Sequence, residues 1–318
     1  MAGGAGRVAV AAGLTAYILW KSRPSDVLAV AARADWRPIA VAILLVLVDR
    51  TLMAYRWLVL LCIVPPDRRP PLGEVMRIFF VSTFVGTFLP ASVGGDAVRA
   101  YAIRRLNVGG GDAVASVLMD RMLGVASILL VALAGLTLAT DLASNATIVA
   151  ALAVAAAACG VTLLLVFSRT ASTVAVRLLG WLPSMLQQPA ARVFESIRRY
   201  SSHHGRLANV LASSIAVQGL RIVQAYYLGR GLGIAAPLGA YFAFVPLILL
   251  VMLLPVTFNG IGTSQAAFVW FFGRIGVDAA ASFALSVLFV ALGIVGNLPG
   301  ALLYVRGGSN ARDASRNP

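Results

Sequence analysis

Charge is scarce in this chain of 318 residues. Only 12% of it is Asp, Glu, Lys or Arg, roughly half the share usual in a soluble globular domain. With 60% hydrophobic residues and a mean hydropathy of +0.88, that scarcity excludes an ordinary soluble fold and predicts an all-α polytopic membrane protein. Lysine is nearly missing too. Lys21 is the only one, a bias of codon usage that carries no mechanism. Acidic residues number 12 against 26 basic ones, a net charge of +14. The arginines fall mostly between apolar runs, so the expected partners are membrane lipids with anionic headgroups at the cytoplasmic surface, not nucleic acid. The two cysteines, Cys62 and Cys159, sit in apolar runs and read as free thiols acting as small hydrophobes. The two histidines, His203 and His204, have no carboxylate or cysteine at ligand spacing, so no metal site is expected. A phosphate-binding loop, a Gly-x-Ser-x-Gly elbow and paired catalytic carboxylates are all missing. We therefore expect no enzyme and no cofactor.

What the chain does have is a pair of interruptions in its apolar runs. The first is Leu89-Pro90-Ala91-Ser92-Val93-Gly94-Gly95-Asp96-Ala97-Val98-Arg99. The second is Leu254-Pro255-Val256-Thr257-Phe258-Asn259-Gly260-Ile261-Gly262. In each, Pro removes a backbone donor and Gly permits φ > 0, so the helix should open there. Lipid tolerates such backbone only where protein or a watery cavity covers it. Related breaks about 165 residues apart suggest a duplicated protein with a central site between broken helices.

Apolar runs near the ~20 residues needed to cross a bilayer fall at 39–64, 113–139, 147–167, 207–228 and 279–305. A shorter run at 8–20 is read as a retained first span, because no signal-peptide cleavage site follows it. That makes six crossings. Runs 75–89 and 239–254 end at the breaks and are followed by 96–104 and 263–274, each pair reading as a re-entrant helical hairpin. The loop 169–206 holds six arginines against Glu195 and is placed in the cytoplasm. The loop near 140–145, with Asp141 and no base, is placed outside. The tail 306–318 then falls inside, while the loop 21–37, net +2, falls outside against the trend. Each half, 2–140 and 145–305, contains an odd number of crossings. The expected architecture of the transmembrane domain 1–305 is therefore an inverted repeat.

Several residues are candidates for chemistry. A helix starting near Asp96 would offer free N–H groups beside Gly94 and Gly95, an anion cradle that Asp96 caps. One turn on, Arg99 can clamp a phosphate with two donors or extend to the cytoplasmic surface. Asp120 and Arg121 lie about seven residues inside an apolar run, where ionisable groups are costly and face a cavity or a partner. Asp120 is expected to pair with Arg99 or Arg104; Arg121 is expected to meet a headgroup or an interfacial partner. Asp49, Arg50 and Arg56 share a similar face and serve either a headgroup or structural pairing. In the second half, Arg221 and Gln224 form the corresponding polar stripe. The second break offers Asn259, Gly260 and Gln265 but no charge, with Pro90, Pro255 and Gly262 as the helix-breaking positions. Asn297 and Pro299 add a polar group and a kink to the last span.

With these residues in view, the chain resembles the lysylphosphatidylglycerol synthase transmembrane-region family, also called flippase-like domain proteins. The likeness rests on residues 89–101, on Ala115-Ser116-Val117-Leu118-Met119-Asp120-Arg121 and on residues 255–272. It implies a unit that flips an aminoacylated phospholipid made by a separate soluble domain. No synthase domain is expected after the last span, and Thr263-Ser264-Gln265 stands where that family would have an Arg-Glu pair. The expected function is a lipid flippase or transporter of the bacterial cytoplasmic membrane. It would move an anionic phospholipid or lipid-linked headgroup between leaflets, by facilitated or ion-coupled transport. The alternative from another class is a non-transporting subunit that scaffolds a glycosyltransferase or lipid-modifying enzyme. A membrane-embedded transferase is a weaker third, and a second copy of the chain is a further candidate partner.

The orientation is testable. Single cysteines placed in 169–206 should be protected from impermeant thiol reagents added outside intact cells, and cysteines near Asn145 should react. The reverse labelling pattern would overturn the orientation.

Overall fold

The computed structural model describes residues 12–13, 15–62, 70–89, 94–137, 146–168, 183–254 and 260–314, and their regular structure is helical. After a helical stretch at 15–21 come α1 (Pro24–Ala32), α2 (Trp36–Leu61), α3 (Leu72–Phe88), α4 (Gly94–Arg104), α5 (Gly110–Leu136) and α6 (Ala146–Phe167). They are followed by α7 (Ser184–Tyr200), α8 (His204–Gly231), α9 (Leu238–Leu253), α10 (Thr263–Gly273) and α11 (Ala279–Ala314).

Helices α2, α5 and the Ala279–Val305 part of α11 are long and apolar enough to cross a membrane; Ile148–Leu164 of α6 and the whole of α9 are apolar but shorter. Of the expected crossings, 39–64, 113–139 and 279–305 thus fall on helices of spanning length. The run 8–20 begins outside the described residues. The run 207–228 lies in α8, whose 28 residues make it about 42 Å long at ~1.5 Å per residue. Its apolarity is lowered by Ser214, Gln218 and Gln224, all buried. A polar stripe turned inward marks a helix enclosed by others. Its main partner is α2: the Asp35 N–H donates to Gly231 O at 2.8 Å. A Cβ on Gly231 would lie 3.0 Å from the Asp35 carbonyl.

Two helices lie where the sequence reading had only loops. Pro24 starts α1 and Asp35 caps α2, its carboxylate accepting from the Arg37 N–H at 3.0 Å. Within the basic loop, α7 has Val193, Phe194 and Ile197 half-buried at helical spacing and Arg192 and Arg198 exposed. It docks on the start of α5 through an Arg199–Asp112 ion pair. The buried phenol of Tyr200, pushed up from its ordinary range by desolvation, donates to Leu60 O at 3.4 Å.

The order of lengths repeats. Helices α2 to α5 have 26, 17, 11 and 27 residues; α8 to α10 have 28, 16 and 11, and the spanning part of α11 has 27. The packing repeats as well, with α3 against α11 and α9 against α5. Each contact is a backbone approach at a glycine. A Cβ on Gly300 would fall 2.1 Å from Phe80 O, and one on Gly135 would fall 2.3 Å from Phe242 O. Gly135 and Gly300 are 165 positions apart, as are Arg56 and Arg221 and the two Leu-Pro steps. The halves share shape more than content. The second hairpin closes on its own rings, Tyr241 and Phe244 of α9 against Phe268, Phe271 and Phe272 of α10, whereas the first also carries ionised groups.

Small residues let helices meet closely where lipid gives no hydrophobic drive. Gly135→Ala and Gly300→Ala should each destabilise the protein by about 1–3 kcal/mol, the usual cost of overpacking. Gly219→Ala, with nothing near the added methyl, should be silent or mildly stabilising. Thermal unfolding of the purified variants in detergent checks all three.

Candidate functional site

The hairpin of α3 and α4 closes backbone to backbone. A Cβ on Gly95 would sit 2.9 Å from Ser82 O, and one on Gly86 would sit 2.8 Å from the Gly95 Cα. In sequence, Gly95 reads as a position permitting φ > 0. It lies instead inside α4 and is not among the glycines with positive φ, so close approach is what its missing side chain provides. Gly260 and Gly262 in the second break do take positive φ, +76° and +91°.

This closure brings Arg99, 6% exposed, into a fully occupied pocket. Its guanidinium lies over the rings of Trp57 at 5.2 Å and Phe79 at 4.7 Å. It also reaches Asp120 Oδ2 at 3.3 Å and Asp96 Oδ1 at 3.6 Å. The Trp57 indole is fixed by donating to Ser116 Oγ at 3.2 Å. Asp120 is shared: Arg56 of α2 donates to its Oδ1 at 2.8 Å and to its backbone carbonyl at 3.0 Å. The choice between Arg99 and Arg104 is thereby settled for Arg99, with Arg56 as a second partner. Asp96 lies in the first turn of α4. Its Oδ2 accepts from Arg121 Nε at 2.5 Å, which ties α4 to α5 and leaves Arg121 about half exposed.

A second group lies among α2, α8 and α11. Arg50 donates to Asp49 Oδ2 at 2.9 Å, to Met53 Sδ at 3.3 Å and to Gly293 O at 3.2 Å. Gly296 opens the notch it lies in, since a Cβ there would stand 3.2 Å from Arg50 Nε. Arg221 Nε stands 3.5 Å from Asp49 Oδ1, and its NH2 reaches the same Met53 sulfur at 3.4 Å. Both groups share α2, which carries Asp49, Arg50 and Arg56. Five arginines face three aspartates, a net charge of +2. The Nε atoms of Arg50, Arg56 and Arg99 are buried without a hydrogen-bond partner. Surplus buried cation with unused donors is an environment that attracts an anion.

The other expected residues are placed as follows. Gln224, one turn from Arg221, is buried and its Nε2 has no partner. Gln265 Oε1 accepts from the Gly262 N–H at 2.5 Å and from Ser264 Oγ at 3.0 Å. It therefore satisfies the backbone N–H at the start of α10, the half of a capping box that a glycine N-cap allows. Asn297 donates to Thr87 Oγ1 at 2.9 Å, joining α11 to α3. Pro90, Pro255 and Asn259 lie outside the described residues. Met53, Trp57, Ser116, Gly293 and Gly296 were not anticipated. Only the small residues of the last span gave a sign of the notch. Between α5, α6 and α8 a wholly apolar groove of about 370 Å³ opens beside Leu130, Cys159 and Leu211.

A family model described as the lysylphosphatidylglycerol synthase TM region matches residues 5–300. The chain belongs to this family. It is accordingly a multi-pass helical membrane protein of a lipid-related family, and the ion network lies in the matched region. A comparison with curated proteins finds no match.

Removing one partner from a buried ion pair leaves an uncompensated charge and costs about 3–5 kcal/mol. Asp120→Asn, which strands Arg56 and Arg99 together, should therefore lower the thermal midpoint more than any single arginine replacement. Asp112→Asn, at the exposed α5–α7 contact, should cost under about 1 kcal/mol. Equal effects of the two would show that Asp120 is not the hub.

Proposed function

We propose that this chain moves an anionic phospholipid, or a lipid-linked phosphate headgroup, between the leaflets of a bacterial cytoplasmic membrane, without covalent chemistry of its own. The observation that carries the reading is the network of five arginines and three aspartates. Its members come from α2, α4 and α5 in one half and α8 in the other, and Arg50 reaches the α11 backbone. Charge of this kind inside a membrane domain is costly unless it is functional. A lipid phosphate is the anion that the surroundings supply. Family membership supports a lipid role of this general kind.

In this reading α3–α4 and α9–α10 are re-entrant hairpins. At 11 residues each, α4 and α10 reach only about 16 Å at ~1.5 Å per residue, half of a ~30 Å hydrocarbon core. The repeated lengths and glycine contacts support two inverted halves, with the hairpins meeting near the midplane from opposite sides. Arg99 is the first hairpin's share of the network. An anion entering the network would weaken the hold of Arg99 on Asp96 and Asp120, freeing α4 to move. Aromatic stacking and two-carboxylate contact suit a planar guanidinium and not an ammonium.

Arg99→Lys should therefore reduce lipid translocation roughly tenfold or more, equivalent to losing one charge-assisted hydrogen bond of about 1.5–3 kcal/mol. Arg77→Lys, on an exposed Glu74 pair of α3, should be nearly silent. Leaflet accessibility of labelled anionic phospholipid in proteoliposomes is the measurement. Wild-type rates in a normally folded Arg99→Lys protein would overturn the role given to the hairpin.

A further inference from the structure

The two basic groups differ in how completely they are satisfied. Arg99 and Arg56 have side chains 7% and 4% exposed and share Asp96 and Asp120 with Arg121. On that side Arg121, paired with Asp96, is about half exposed. Arg50 and Arg221 are 12% and 21% exposed and share one carboxylate, Asp49. Here the surplus charge is confined within the protein yet still reachable.

The arrangement around Met53 is the second observation. Both guanidiniums point an N–H at its thioether sulfur, at 3.3 and 3.4 Å. A thioether is a weak, uncharged acceptor and offsets none of the repulsion between two cations. The other unsatisfied donors are near in sequence and equally buried: Arg50 Nε, and Gln224 Nε2 one turn from Arg221. Asp49 Oδ1 receives only the 3.5 Å approach of Arg221 Nε. The internal repeat explains the deficit. Arg221 stands 165 positions after Arg56, but the position corresponding to Asp120 is Leu285. The second half keeps the cation and lacks its carboxylate.

We infer that Arg50 and Arg221, converging on Met53, form the seat for a phosphate-type oxyanion, and that Arg99 holds the hairpin and is not the seat. This rests on the transport reading for its lipid source, but the seat itself is defined by binding. Two guanidiniums can direct several N–H donors at one oxyanion, and an anion there would neutralise the surplus left by Asp49. Each single arginine variant leaves Asp49 paired with the other arginine, so both variants should fold.

The experiment measures binding of fluorescent phosphatidylglycerol to the full chain in detergent micelles, with fluorescent phosphatidylcholine as the neutral control. Inorganic phosphate is added as a competitor. Wild type should prefer the anionic lipid. Arg50→Gln and Arg221→Gln should each weaken its binding roughly tenfold, while Arg230→Gln, exposed at the end of α8, should not. Met53→Glu is the decisive variant: it fills the seat with an internal carboxylate, so anionic lipid binding should be lost while the thermal midpoint rises. Displacement by millimolar inorganic phosphate would assign the seat to free phosphate, and its failure to displace would assign the seat to a lipid phosphodiester. Unchanged binding in both arginine variants, or a Met53→Glu protein that binds as wild type does, would overturn the seat. Flipping by wild type would still stand in that case. Binding that behaves as expected in a wild type that moves no lipid would instead remove the transport reading and leave the seat in place.

Discussion

The carboxylate of Asp120 is the contact on which the interior of this protein depends. It receives Arg56 from α2 and Arg99 from α4, so one side chain on α5 joins a long helix to a hairpin. In a low-dielectric interior neither arginine is tolerable alone. The hairpin's position is then fixed by charge neutralisation as well as by the glycine contact of Gly86 and Gly95. Aromatic faces from Trp57 and Phe79 complete the enclosure. Beside its apolar contacts through Val75, Phe79 and Ile103, this hairpin carries ionic ones that the second hairpin lacks among the described residues.

The second half shows the contrast. Its two helices close on each other through Tyr241, Phe244, Phe268, Phe271 and Phe272, and Gln265 accepts from the Gly262 N–H at the start of α10. Near-equal helix lengths and paired glycine contacts at Gly135 and Gly300 give both halves one scaffold. On that scaffold one half has an ion-locked element and the other an aromatic wedge. This asymmetry suits a device in which a single element moves against a stationary partner.

Much of this was legible in the residues. Apolar runs with Pro-Gly interruptions announce a broken-helix membrane protein, and α2, α5 and α11 fall where the runs are longest. Ionisable residues inside those runs, Asp49, Arg50, Arg56, Asp120 and Arg221, identify the site because lipid makes every such residue conspicuous. Their pairings were not legible, since which arginine meets which aspartate depends on helix rotation and on gaps such as the Gly293–Gly296 notch. Gly95 was expected to serve backbone conformation and serves close approach instead; both demands remove a Cβ and look alike in sequence. Helix α7 was hidden inside a charged loop because net basicity drew the reading, although its apolar spacing at Val193, Phe194 and Ile197 was available. Gln265 sat in a polar cluster that suggested a ligand, and a Gly followed three residues later by Gln is equally the pattern of a helix start.

A confined excess of positive charge and membership of a lipid-related family are what support the proposal that an anionic headgroup passes through the protein. The claim is decided by comparing headgroups in one preparation. Purified wild-type protein would be reconstituted in liposomes containing trace labelled phosphatidylglycerol or labelled phosphatidylcholine, and the exchange of each label between leaflets followed by an impermeant quencher. The account predicts that phosphatidylglycerol exchanges much faster than in protein-free liposomes and faster than phosphatidylcholine. Exchange of both lipids at the protein-free rate would contradict it.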